Sequence, residues 1–500
     1  MPKRLFAVDL GASGGKCFVG TFADGTFSMD EIHRFAHDGM DLYLPDRSGC
    51  VTPRTVWDDT FIYRNIVMGL QAFRRDVADE LDSIGIDTWG ADGALINADG
   101  DMLSKMYCYR DHRLDSMIDE VKARMDPARI YALTGIHFQP FNLSNQLLWL
   151  VQNRPELLAL AARFLPVSSL FYYFLGGVQK VDSSWASVSQ LMDAREQTWS
   201  DELLAGLGIP SAIMPEIVSP GASMGALHAD LAASLDLNRV PLTATAAHDT
   251  ASAFAAAPVS NPDEALIISS GTWSLVGKLI PAPITSTAAM EAGISNEGGV
   301  GNVRLLKNCM GTWLVQELRR VWKIADGREM SWPEMDALSD AAPAFAALVD
   351  PDDASFYNPD NMEAAIAAFC QRTGQAVPAD RGSMLRTVYE SLALKYRFVN
   401  EQICEVSGTQ STVVNIVGGG SNNKRLNQFT ADALGLPVLA GPMEGTAVGN
   451  FMVQAVGVGI ISSMEAAQPV IRAAFPIREY PPGDTAPWQK AYETFTTLMG

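Results

Sequence analysis

Residues 6 to 22 read FAVDLGASGGKCFVGTF: an apolar run closed by Asp9, a turn rich in glycine and serine, a lysine, and a second apolar run. Such a set can hold an anion, because glycines let backbone N–H groups approach closely while a hydroxyl and an ammonium add a donor and a charge. The cradle would comprise Gly11, Ala12, Ser13, Gly14, Gly15 and Lys16. Asp9, at the strand end beside it, is an oxygen ligand of the kind that a hydrated Mg²⁺ ion takes. A P-loop is excluded, since that pattern needs glycine where Leu10 stands and Ser or Thr where Cys17 stands. A second acidic residue, Asp249, opens the stretch AHDTASAFAAA. Asp249 or Thr250 can cap a helix running through Ala257, and a carboxylate at a helix N-terminus keeps its charge, as a base that takes a proton from a hydroxyl must.

The elements that would position these residues repeat. Apolar runs on both sides of the first turn predict a β-hairpin rather than a strand entering a helix. EALIISSGTWSLVGKLI, residues 264 to 280, predicts a second hairpin with a Gly/Ser/Thr turn. SIGIDTWGADGALINADGDML, residues 83 to 103, reads as a strand ending at an acidic, glycine-containing turn, followed by a second strand and an Asp-Gly turn. Its later counterpart is VVNIVGGGSNNKRLNQFTADALGLPVLAG, a buried strand running into three glycines and a helix that starts near Asn422. The proline-containing stretch PVSNPDEA, residues 258 to 265, marks a boundary between domains at 1–259 and 260–485. QELRRVW and DPDDASFYNPDN read as ordinary surface, an amphipathic helix and a loop.

Composition narrows the function classes. A chain of 500 residues that is 48% hydrophobic can fill two or more cores. A net charge of −20 with 37 basic residues argues against nucleic acid or an anionic membrane as partner, so any phosphate site is local. Six scattered cysteines without a CxxC pair read as free thiols in a reducing cytoplasm. Asp9 interrupts the first apolar stretch too early for a signal peptide, and no later apolar run is long enough to span a membrane. Assembly with further copies of the chain stays open.

DLGASGGK, GIDTWGAD, YRDHR, TGIHFQPFN, AHDTASA, SSGTWSLVG, NEGG, LLKNCMGTWLVQ, IVGGGSNNKRLNQFTADALG and GPMEGTAVGN occur in the order and spacing of the FGGY carbohydrate kinases, over residues 5 to 460. The resemblance implies an α/β chain of two ribonuclease H-like domains, of the actin/hexokinase superfamily, flanking a catalytic cleft. The N-terminal domain would bind sugar and carry the base, and the C-terminal one would bind nucleotide. It implies an ATP- and Mg²⁺-dependent transfer of phosphate to a primary hydroxyl of a ketose, with sugar and nucleotide as small-molecule partners. Asp249 is then the catalytic base, and Gly90, His248, Thr250 and Asn308 contact the sugar. Trp89, Asp92, Gln139 and Asn142 supply the flat face and planar polar groups that a polyhydroxylated ligand needs. Thr272, Gln316 and Gly419 contact adenine and ribose. L-rhamnulose is the first candidate substrate, and L-fuculose, L-xylulose or another ketose or polyol is the alternative. The chain departs from the family pattern at Gly14, Gly15 and Lys16, where Ser-Gly-Arg is usual, and at Gly93 and Ala94, where bulkier residues are usual. A sugar- and nucleotide-binding sensor is the reading from another class; it has no need of Asp9 and Asp249 together.

Overall fold

The computed structural model describes residues 2–45 and 48–499. The chain forms two compact units. Unit 1 comprises Met1–Ala256, Leu279–Leu305 and Thr446–Ala474, and unit 2 comprises Ala257–Lys278, Leu306–Gly445 and Phe475–Gly500.

Unit 1 is built on strands β1 (Lys3–Gly11), β2 (Gly14–Ala23), β3 (Thr26–Ala36), β4 (Ser83–Thr88), β5 (Ser223–Ala226) and β6 (Pro241–Thr243), lying side by side in the order β5-β6-β4-β1-β2-β3. The expected hairpin forms: β1 and β2 pair antiparallel as far as Gly11 opposite Gly14, leaving Ala12 and Ser13 as the turn. β4 joins β1 in parallel, as continuous apolar runs buried on both faces do. Behind the hairpin lies the helix Asp59–Asp76, whose start is fixed by the Asp58 carboxylate accepting from Phe61 N. Its buried residues Ile62, Ile66, Gly69, Leu70 and Phe73 recur at helical spacing and face the sheet. Gly69 is required there, since a Cβ would sit 2.6 Å from Cys17 Sγ.

Unit 2 repeats the plan. Its strands β7 (Ala265–Ser270), β8 (Trp273–Ile280), β9 (Val303–Met310), β10 (Val413–Val417), β11 (Val438–Ala440) and β12 (Arg478–Tyr480) lie in the order β12-β11-β10-β7-β8-β9, with the short strand Ser295–Gly298 next to β9; residues 279–280 of β8 and 303–305 of β9 are counted in unit 1. Again a hairpin, β7-β8, carries a parallel strand, β10, at its first member's side. The echo read between residues 6–22 and 264–280 is thus an echo of topology. The acidic segment read as surface is not all surface: Phe356 is fully buried, and Asp350 and Asp352 clamp the buried Lys395 ammonium at 2.9 and 2.8 Å. A buried cation requires such partners, and acidic composition alone does not reveal them.

Candidate active site

The C-terminal ends of adjacent strands in unit 1 gather the acidic residues. Asp9 on β1 stands opposite Lys16 across the hairpin and level with Asp87 on the parallel strand β4. Residues in register share a sheet face, so the three side chains form one row. Thr88, next along β4, bridges to His248, and its N–H donates to Ala247 O at 2.8 Å, which brings Asp249 to the same end.

Asp87 was not among the sequence-derived candidates, although it lies inside the quoted GIDTWGAD. The available signal was an acid closing a buried strand, as Asp9 closes the first one. Burial pushes its carboxyl well above the ordinary range, and the Asp9 and Asp249 carboxylates push it further, against a hydrogen bond from Asn450. Asn450 Nδ2 donates to Asp87 Oδ2 at 2.5 Å, Gln454 Nε2 donates to Asn450 Oδ1 at 2.6 Å and to Phe6 O at 3.1 Å. A main-chain carbonyl therefore fixes which way both amides face.

Asp249 is the first residue of the helix Asp249–Ala255, with His248 at the N-cap position. The helix is shorter than expected and its cap is not Asp249 or Thr250. Asp249 Oδ1 instead accepts from Thr250 N at 2.6 Å and Thr250 Oγ1 at 3.1 Å, and lies 3.5 Å from His248 Nε2. A Cβ on Gly90 would sit 2.8 Å from His248 Nε2, so the imidazole occupies the space that a side chain would take.

Trp89 and Asp92 are both buried. Asp92 holds φ +74°, and its Oδ2 accepts from Trp57 Nε1 at 2.7 Å and Trp89 Nε1 at 3.0 Å. Burial raises its carboxyl to about 6, opposed by those indole hydrogen bonds and the Arg113 charge. The indoles lie 4.7 Å apart by ring centroids; Tyr109 lies tilted against Trp57 and Phe141 meets Tyr109 edge-on, tying the QPFN loop to the cluster. In that loop Asn142 is buried and its Nδ2 donates to His137 O, while half-buried Gln139 accepts from Asn145 through its carbonyl.

The opening turn separates its glycines by function. A Cβ on Gly14 would meet Phe35 O at 2.8 Å and one on Gly15 would meet Phe35 Cζ at 2.3 Å, so both are required by β3. At Gly11 the nearest atom is Gly14 O at 3.6 Å, and Ser13 is exposed. The glycines of unit 2 divide likewise. Gly418 has φ +85° and Gly420 would drive a Cβ into Ser270 Oγ, while Gly419 faces open space. Thr272 Oγ1 lies 3.4 Å from Gln316 Oε1, and Gln316 Nε2 donates to Thr312 Oγ1 at 3.0 Å, so these two predicted residues come together. Asn308 is carried by β9 and belongs to unit 2, whereas the other predicted sugar residues belong to unit 1. Among the described residues, no three His, Cys, Asp or Glu side chains are arranged to hold a metal ion by themselves, and no helix is long and apolar enough to cross a membrane. No disulfide joins any of the six cysteines, all of which are among the described residues.

The family model for the N-terminal domain of the FGGY family of carbohydrate kinases matches residues 57–255, and that for its C-terminal domain matches residues 266–458. The chain belongs to the FGGY family of carbohydrate kinases and is an ATP-dependent sugar kinase. It is 37% identical over 500 residues to a rhamnulokinase of Bacteroides thetaiotaomicron, covering 100% of both chains. It is 36% identical to a rhamnulokinase of Pectobacterium atrosepticum, over 99% of this chain and 96% of the other. In fold it resembles a xylulose kinase of Lactobacillus acidophilus, with TM-score 0.79 and 15% identity over 99% and 97% of the two chains. It also resembles a Plasmodium falciparum glycerol kinase solved with ADP, with TM-score 0.76 and 16% identity over 99% and 96%.

Proposed function

We propose that the chain transfers the γ-phosphoryl group of ATP to the 1-hydroxyl of L-rhamnulose, giving L-rhamnulose 1-phosphate and ADP in carbohydrate catabolism. The observation that carries the reaction is the arrival of Asp249 at the strand ends that also carry Asp9 and Lys16. The choice of sugar rests on the full-length similarity to rhamnulokinases. Phosphoryl transfer asks a protein for a phosphate cradle, a cation and a base in line with the acceptor. Asp249 takes the hydroxyl proton as the new O–P bond forms and the bond to ADP breaks. His248 and the Gly90 backbone orient the sugar against Trp89, whose indole is fixed by Asp92. Thr250, Gln139, Asn142 and, from unit 2, Asn308 are further sugar contacts. The N–H groups of Gly11 to Gly15 with Lys16 receive the phosphates, and Thr272, Gln316 and Gly419 receive the nucleoside. Asp9 would hold Mg²⁺, a fit that its carboxylate oxygens and the neighbouring acid of Asp87 support; the ion neutralises phosphate charge when bound. Cysteines that form no disulfide suit the cytoplasm.

A coupled ADP-release screen over ketoses and polyols tests this reading. The highest kcat/KM is expected with L-rhamnulose. A ketose or polyol turned over about tenfold better, a difference of about 1.4 kcal/mol in transition-state binding, would reassign the sugar. No ADP release with any of them would leave the sensor reading.

A further inference from the structure

His248 is surrounded by groups that the transfer reaction itself does not need. Arg304, fully buried at the start of β9, directs Nη2 at His248 Nδ1 across 3.1 Å. The same Nη2 lies 3.0 Å from Glu297 Oε2, and Nε donates to Gly298 O at 2.9 Å. Glu297 Oε2 is itself 3.3 Å from His248 Nδ1. Burial pushes the Glu297 carboxyl up, but the Arg304 charge and the His248 contact outweigh it and hold it below its ordinary range. The pair is anchored from behind: Gly298 N donates to Ser187 Oγ at 2.7 Å, and a Cβ there would meet Ser183 O at 2.8 Å. From the other side, His248 N donates to Ser184 Oγ, which donates to Asp182.

We infer that Arg304, held in place by Glu297, is a positioning residue that fixes the tautomer of His248, with the ring proton on Nε2 facing Asp249 and the sugar hydroxyl. A guanidinium has donors only, so the Nδ1 it touches must be an acceptor, and a neutral imidazole then carries its proton on Nε2. Nε2 is the nitrogen 3.5 Å from Asp249 Oδ1 and beside Gly90. Glu297 alone would favour the opposite tautomer, since a carboxylate draws the proton to Nδ1; the guanidinium occupies that carboxylate and reverses the preference. Asp182 and Asp249 also act on the Arg304 charge, and the Phe254 ring lies 5.8 Å below it. The ring proton is thus a donor to the hydroxyl whose own proton Asp249 removes, which aligns the attacking oxygen. This inference rests on the kinase reading for its consequence, and on geometry alone for the tautomer.

The experiment is a long-range ¹H–¹⁵N spectrum of histidine-labelled protein, with His248 assigned through H248Q, alongside steady-state kinetics of R304K and of the double variant E297Q/R304Q. The double variant removes both buried charges together and so avoids stranding one of them. The expected spectrum is that of an Nε2–H ring in the parent, changed in the double variant. The double variant is expected to lose about 10²-fold in kcat, the usual effect of misplacing a reacting group by about 1 Å, with KM for ATP unchanged. R304K, still a donor, keeps the parent tautomer and recovers most of that rate. An Nδ1–H ring in the parent, or a folded double variant with parental kcat, overturns the inference. Should neither variant fold, the parent spectrum decides alone. A parent without sugar turnover refutes the kinase reading and leaves the spectrum to judge the tautomer.

Discussion

Asp92→Asn tests whether the acid beneath the paired indoles is held at a cost. Its carboxyl is fully buried and raised by that burial from the ordinary 3.8 to about 6. Folding therefore strengthens proton binding at this site. Between about pH 4 and pH 6 the native state holds more of this proton than the unfolded state does, so the stability it confers falls as pH rises through that window. The loss is complete above pH 6. At about 1.4 kcal/mol per unit, the interval between 3.8 and about 6 corresponds to about 3 kcal/mol. Asparagine imitates the protonated acid: its amide oxygen can accept from both Trp57 Nε1 and Trp89 Nε1, as Asp92 Oδ2 does. It also tolerates the left-handed φ of +74° at this position. Arg113, deprived of that charge, keeps Asp111 at 3.5 Å and Cys108 O at 3.0 Å. Urea unfolding followed by tryptophan fluorescence should show Asp92→Asn about 3 kcal/mol more stable than the parent at pH 8, with the gain shrinking toward zero at pH 4. A variant no more stable than the parent at pH 8, or a gain that does not change with pH, would refute the reasoning.

Three further outcomes are expected. Asp249→Asn keeps the oxygen that accepts from Thr250 N and Oγ1, so its melting temperature should match the parent, while turnover falls by about 10² to 10⁴; turnover within about threefold, far short of that share, removes Asp249 as the base. Gly15→Ala places a Cβ 2.3 Å from Phe35 Cζ and should destabilise the fold by about 1–3 kcal/mol. Gly11→Ala, with 3.6 Å to its nearest atom, should melt like the parent yet bind ATP more weakly by calorimetry. Equal melting of these two glycine variants would show that β3 does not crowd Gly15.

Both hairpins were legible because the alternation of apolar run, small-residue turn and apolar run is local, and so is the glycine signal that ends β10. The order of the sheets was not, since parallel pairing of β1 with β4, nearly eighty residues later, leaves no mark within either strand. The acids at the strand ends divide in the same way. Asp9 and Asp249 each adjoin a recognisable turn or helix start, whereas Asp87 follows an unbroken buried run and reads as the last residue of a core strand. Arg304 and Glu297 were hidden for a different reason: Glu297 lies inside the quoted NEGG and Arg304 in an apolar strand, but each pairs with a residue on another element, and its meaning shows only once that partner is placed. Asn450 and Gln454 lie within or just after a quoted motif, but their hydrogen bonds run to residues 363 and 448 positions away.

Those last two separations bear on how the protein is made. Unit 1 is interrupted by most of unit 2, and its closing segment, Thr446–Ala474, supplies the amides that reach back to Asp87 and to the Phe6 carbonyl. On the ribosome, the strand-end acid Asp87 must wait unsupported until Asn450, 363 residues later, has emerged. Unit 2 lacks its own final strand, β12, until later still. Unit 1 cannot be finished until most of unit 2 has been made, so synthesis halted before Thr446 yields a chain with the Asp249 base but no support for Asp87. Such chains carry unfinished apolar faces and depend on chaperones or proteases for their fate, and the long closures predict slow maturation for a protein of this size.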